Sequence, residues 1–239
     1  MILEIISTNR NGDWRVILVE LLAFLAAIYF AIVLHEVAHG LVALWNGDDT
    51  AKVNGRLTLD PTKHFDVMGA VMMLVVGIGW ARPVPIDPRN FRDLKKGMIT
   101  VSLAGIIANL ILSALSLALL AAVAAIGRSI GSASVGGYFV WLFFCELLMY
   151  GAVLNISLAG FNLLPIFPLD GFRLVEICTK PNNGYVVFMR RYGLYVYMVL
   201  VGLSLLAHFT GWPCNVLGMY IQVIQSGVVK MIHLIMGAA

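Results

Sequence analysis

The chain has 239 residues, of which 60% are hydrophobic and only 12% charged, more apolar surface than a water-soluble globule of this length could hide in one core. The composition therefore reads as a polytopic membrane protein, and its apolar runs lead to an expected all-α fold of about five to six transmembrane helices with a short membrane-associated β-hairpin or re-entrant element. A net charge of +3 is too small and too scattered to suggest nucleic acid, and three cysteines (Cys145, Cys178, Cys214) without a CxxC pair indicate neither a disulfide framework nor a thiolate zinc site.

The N-terminal stretch "MILEIISTNRNGDW" precedes an apolar run over 16–45. A signal peptide would carry an apolar stretch of roughly 7–15 residues and then a small-residue cleavage site. This run is longer, so it is expected to be retained as the first span. It contains "AIVLHEVAHGLVALW", with His35, Glu36 and His39. On a helix, residues four apart share a face, so both imidazoles can bind one metal ion. Glu36 points beside them, where a general base that deprotonates water would stand. In a soluble chain the same pattern could be two hydrogen-bonded histidines and a stray glutamate. At membrane depth each ionisable residue costs at least about 2.5–3.5 kcal/mol on insertion scales, so three in one turn call for a compensating partner such as a metal ion. If the hydrocarbon segment begins near Leu21, His35 lies about 21 Å further along at 1.5 Å per residue, nearer the far face than the middle.

Between the first two spans, "AKVNGRLTLDPTKHFD" has β-favouring residues in "RLTL" and predicts a short strand or hairpin at the membrane surface. Its segment from Gly55 to Leu59, including Leu57, would offer an edge to an unwound substrate. The stretch at 65–80 is shorter and glycine-rich, and could be a short span or a segment that dips in and returns; the distribution of basic residues favours the re-entrant form. "ARPVPIDPRNFRDLKKG" reads as a cytoplasmic loop. Further spans are expected at 98–126, 138–164, 192–210 and 214–236, each long enough for a hydrocarbon core of about 30 Å. With five spans and the N-terminus outside, all the Lys and Arg except Arg10, Arg15 and Arg128 fall on the cytoplasmic side, as short cytoplasmic loops require.

Two histidines leave a hydrolytic zinc site one protein ligand short. The acids within later apolar runs are Glu146, in "FFCELLMY", and Asp170, in "NISLAGFNLLPIFPLDGFRLVE". Pro165 and Pro168 break the helix before Asp170, a context that can turn a carboxylate inward, whereas Glu146 sits in an unbroken run and reads as an interhelical hydrogen-bonding residue. His208 and His233 are lone and read as structural.

Taken together, "LHEVAHG" and "FNLLPIFPLDG" resemble the site-2 protease family of intramembrane zinc metallopeptidases, with its HExxH helix and a later NxxPxPxLDG helix. "GRLTLDPTKHFD", "GWARPVPIDPRNF" and "LAGIIANL" are similar to its compact bacterial-type members without a PDZ or CBS domain. The resemblance implies Zn2+ as cofactor, His35, His39 and Asp170 as its ligands, and Glu36 as catalytic base. It also implies substrate-positioning roles for Asn162 and Asn109, and a membrane-associated sheet in the role given above to Gly55 and Leu57. Two departures are visible: the family's GPxxN is Gly105-Ile106-Ile107-Ala108-Asn109 here, and one extra residue separates Pro165 from Pro168.

The expected protein is a single integral-membrane domain over residues 1–239, with a catalytic core at about 16–180 and accessory helices at about 190–236. Its expected partners are transmembrane protein or peptide substrates and the lipid bilayer, and its expected place is a prokaryotic cytoplasmic membrane with the site nearer the cytoplasm. The competing class is a metal-ion transporter or metal sensor, since intramembrane His, Glu and Asp also mark ion pathways. Repeated halves and a second set of intramembrane ligands, which alternating access would suggest, are not visible in the sequence.

Overall fold

The computed structural model describes residues 13–64, 69, 82–130, 134–180, 182–212 and 215–238. Five helices in it are long and apolar enough to cross a membrane. These are α1 (Trp14–Trp45), α4 (Leu94–Ile130), α5 (Val135–Leu163), α7 (Gly184–Thr210) and α8 (Val216–Ala238). The shorter helices are α2 (Thr50–Val53), α3 (Pro61–His64), a 3-10 turn at Pro88–Asn90, and α6 (Asp170–Cys178). The five spans fall where the apolar runs predict them. The fourth starts earlier, because Asn183 caps it with a side-chain oxygen accepting the Tyr185 N–H at 2.9 Å.

Helices α1, α4 and α5 pack on one another and form the centre of the molecule. Ala23, Ala27, Ala31, His35, His39 and Ala43 are all buried and recur every four residues, so α1 presents one slanting row of small side chains in which two positions are histidine. Small residues let membrane helices approach closely, and this row carries the imidazoles into the contact with α4 and α5. Helix α6 packs against α4 and α5, and α8 against α5 and α4. Phe172, Val186 and Met189 form a buried cluster that ties α6 to the start of α7.

The expected β-hairpin is corrected: among the described residues there is no strand. Gly55 has φ +62° and ends α2, with its N–H on Lys52 O at 3.0 Å and the Arg56 N–H on Ala51 O at 2.9 Å. That pairing is a Schellman helix end, so the glycine serves as a cap rather than as the lead into a strand. The carbonyl oxygens that a ladder would need are also engaged. Thr58 O lies 2.7 Å from His64 Nε2, and Leu59 O accepts from the Tyr29 hydroxyl. Propensity favoured a strand at "RLTL", and side-chain contacts with α1 and α3 overrode it. The segment at 65–80 lies outside the described residues, apart from Gly69.

Asp48 fastens the loop after residue 82 to the end of α1. Its carboxylate is fully buried and accepts from Thr50 N at 3.1 Å, Asp87 N at 2.8 Å, Asn90 Nδ2 at 2.9 Å and the Thr50 hydroxyl. Burial pushes this carboxyl up, but the side-chain and backbone donors outweigh it and hold the pKa below the ordinary carboxylate value. A lowered folded pKa contributes stability that is complete above the unfolded value of about 3.9 and is lost as pH falls through the folded value. Asp48→Ala should therefore cost at least about 1–3 kcal/mol at neutral pH, by leaving buried donors unmatched. It should also flatten the loss of stability below about pH 4. Thermal unfolding in detergent from pH 7 downward checks this, and an unchanged acid limb would contradict it.

Candidate metal centre

The two α1 histidines and the first residue of α6 meet. His35 Nε2 and His39 Nε2 are 3.1 Å apart, and Asp170 Oδ2 lies 3.3 Å from the first and 3.1 Å from the second. The three residues are buried, and their ligand atoms all lie within 4.8 Å of one another. The imidazole rings meet edge to face, with centroids 4.6 Å apart. Two close approaches make room for this. A Cβ on Gly105 of α4 would sit 2.4 Å from His35 Cε1 and 2.5 Å from His39 Nε2, so any side chain there would displace the rings. A Cβ on Gly171 would sit 2.2 Å from Leu163 O, so a bare backbone lets α6 fold back on the end of α5 and bring Asp170 in.

The hydrogen bonds behind the rings decide what the front can do. His39 Nδ1 is 2.7 Å from Val101 O, which can only accept, so Nδ1 carries the proton and Nε2 presents a lone pair. His35 Nδ1 is 2.5 Å from Asn109 Oδ1, with the same result. Asp170 Oδ2 is fully covered and has no hydrogen-bond donor. In the neutral tautomers that these contacts select, two lone-pair nitrogens and a carboxylate oxygen converge, an arrangement that calls for a cation among them. The donor set of two imidazoles and one carboxylate fits zinc, which takes three protein ligands and keeps one position open in hydrolytic sites.

The open side is a cavity of about 140 Å³ lined by His35, Glu36, His39, Asp170, Asn162 and Arg173, with Pro83, Val84, Ile86 and Pro168 completing the wall. Glu36 Oε2 accepts the Val84 N–H at 3.0 Å, which fixes the carboxylate against the 82–87 loop. Asn162 Nδ2 donates to Leu158 O at 3.1 Å, and among the described residues no hydrogen-bond donor meets its oxygen.

The structure therefore brings together His35, Glu36, His39, Asp170 and Asn162. Asn109 is not on the cavity wall; it stands behind His35. Gly55 and Leu57 are absent from the described lining, and the strand that motivated them is not formed. Glu146 is likewise absent from both the lining and the metal-ligating group. Several residues at the site were not singled out in the sequence. Arg173 has a local signal, three residues after Asp170 on the same helical face. The Val84 amide and Val101 carbonyl are backbone groups and leave no signal.

Comparison with known proteins gives a consistent picture. The family described as Peptidase family M50 matches residues 23–207. A protein of Bacillus subtilis (strain 168) named "Putative zinc metalloprotease YwhC" is 38% identical over 185 residues, which is 75% of this chain and 80% of that protein. "Zinc metalloprotease MJ0392" of Methanocaldococcus jannaschii is 23% identical over 178 residues, which is 74% of this chain and 38% of that protein. No solved structure matches.

Proposed function

This chain belongs to peptidase family M50, the site-2 protease family, and on that premise we propose how its own residues divide the work of a zinc metallopeptidase embedded in the membrane. His35, His39 and Asp170 hold the zinc ion, and Glu36 is the general base. The observation that carries this reading is the convergence of three buried ligand atoms, two imidazole nitrogens and a carboxylate oxygen, within 4.8 Å of one another beside Glu36. When bound, zinc acts as a Lewis acid on the scissile carbonyl and lowers the pKa of water at the site.

The remaining chemistry belongs to the chain. Glu36 takes a proton from the attacking water as the C–O bond forms and then returns it to the amide nitrogen as the C–N bond breaks, so the products are a carboxylic acid and an amine and no proton is left over. The Val84 N–H on Oε2 holds the carboxylate still and leaves Oε1 to take the proton. Asn162 orients the substrate backbone with its free amide oxygen, and Arg173 adds a positive charge to the cavity wall.

Substrate form follows from size. A helix with its side chains is about 10–12 Å across and does not fit a cavity of about 140 Å³, so the substrate reaches Glu36 as an unwound segment. In a bilayer an unwound backbone needs new hydrogen-bond partners, and the polar lining supplies some of them. Substrates are membrane proteins with a helix that unwinds readily near its end.

Both named relatives are prokaryotic, and the basic residues gather on the side that receives the 46–64 and 82–93 loops. We place the protein in a prokaryotic cytoplasmic membrane with the site nearer the cytoplasm. The catalytic core is residues 16–180 and α7 and α8 are accessory. Labelling of a cysteine at Asn90 from the outside would overturn the orientation.

The test of function uses the purified chain in liposomes with a helix-destabilised transmembrane substrate. Cleavage should stop on chelation and return with zinc. A chain that moves metal across the liposome membrane but leaves the substrate intact with zinc restored would instead be a transporter.

A further inference from the structure

Behind His35 runs a chain of amides that crosses three helices and touches neither cavity nor substrate. His35 Nδ1 on α1 is 2.5 Å from Asn109 Oδ1 on α4. Asn109 Nδ2 donates to Ala31 O at 3.2 Å and to Asn155 Oδ1 on α5 at 2.6 Å. Asn155 Nδ2 donates to Gly151 O at 2.8 Å. Both asparagines are buried, Asn109 completely.

The direction of this chain is forced from its ends. Gly151 O can only accept, so Asn155 turns its NH2 toward it and its oxygen toward Asn109. That oxygen and Ala31 O also only accept, so Asn109 turns its NH2 to both and its own oxygen to His35. An oxygen facing Nδ1 requires the ring proton on Nδ1, which leaves Nε2 as a lone pair among the ligand atoms. Without the Asn155 oxygen, Asn109 loses one of the two acceptors that set its orientation. A flipped Asn109 would donate to Nδ1, move the ring proton to Nε2, and block that nitrogen as a ligand.

We propose that Asn155 is a positioning residue that, through Asn109, keeps His35 in the tautomer able to bind zinc. This rests on the zinc reading above. Nothing in the wall of the cavity would suggest it, because Asn155 reaches the imidazole only through Asn109.

Zinc affinity by chelator competition is the primary measurement, with the visible spectrum of the cobalt-substituted protein as the signature of the ligand field. Asn155→Leu should weaken zinc binding by about 10–100-fold, the usual loss when a supporting partner of a metal-bound histidine is removed, and should alter the cobalt spectrum. Helical content of the metal-free protein checks folding, and Asn155→Ala removes the same acceptor without bulk if the leucine variant fails to fold. In an Asn109→Leu background, Asn155→Leu should add no further loss, because its effect passes through Asn109. Wild-type affinity in a folded Asn155 variant, or an equal extra loss in the Asn109→Leu background, overturns the proposal. Wild-type protein that binds no zinc would instead overturn the zinc reading.

Discussion

Glu36→Gln should bind zinc as the wild type does and cleave almost nothing. The substitution keeps the length of the side chain, and its amide oxygen can still accept the Val84 N–H that now reaches Oε2 at 3.0 Å. The three ligand atoms on His35, His39 and Asp170 are untouched. What disappears is the basic oxygen that receives the proton from water, and positioned general bases are typically worth about 10²–10⁴-fold in rate. The check is proteolysis of a transmembrane substrate in liposomes, with zinc content measured on the same preparations. Cleavage at the wild-type rate with equal zinc would remove Glu36 from the mechanism.

Asp170→Ala should lose stoichiometric zinc, and with it cleavage, while Glu146→Ala keeps both. The Asp170 carboxylate supplies the one negative charge among the ligand atoms, at 3.1 Å and 3.3 Å from the two imidazoles. Two neutral histidines alone would leave a divalent cation without a compensating charge at low dielectric. Glu146 has the same chemistry and stands in the neighbouring helix α5, but it does not line the cavity. Metal analysis of the purified variants decides between them, and zinc lost from the Glu146 variant but kept by the Asp170 variant would reverse the assignment.

Much of this site was legible because its parts repeat at helical spacing or break it. His35 and His39 share a face by their separation alone, and the alanines at 23, 27, 31 and 43 extend that face along α1. Asp170 stood out among the acids because Pro165 and Pro168 end a helix in front of it and Gly171 allows the turn. The five spans followed from length and hydropathy. The hairpin did not follow, since β-propensity at "RLTL" could not register that Gly55 was ending a four-residue helix or that Tyr29, thirty residues earlier, would take the Leu59 carbonyl. The same limit hid the true place of Asn109. The resemblance to GPxxN marked it, yet only the packing of α4 against α1 and α5 shows its oxygen behind His35. Contacts between distant residues, and contacts made by backbone atoms such as the Val84 N–H, are set by tertiary packing and leave no local pattern.

The central claim is that two imidazoles and one carboxylate of this chain surround a single zinc ion, and X-ray absorption at the zinc edge of the purified, zinc-loaded protein tests it most directly. The account predicts two imidazole nitrogens at about 2.0–2.1 Å and oxygen at about 2.0–2.2 Å, with no sulfur. Asp170→Ala reconstituted with excess zinc should lose part of the oxygen contribution and keep both imidazoles. A sulfur neighbour at about 2.3 Å, or a single imidazole in the wild-type protein, would contradict the account.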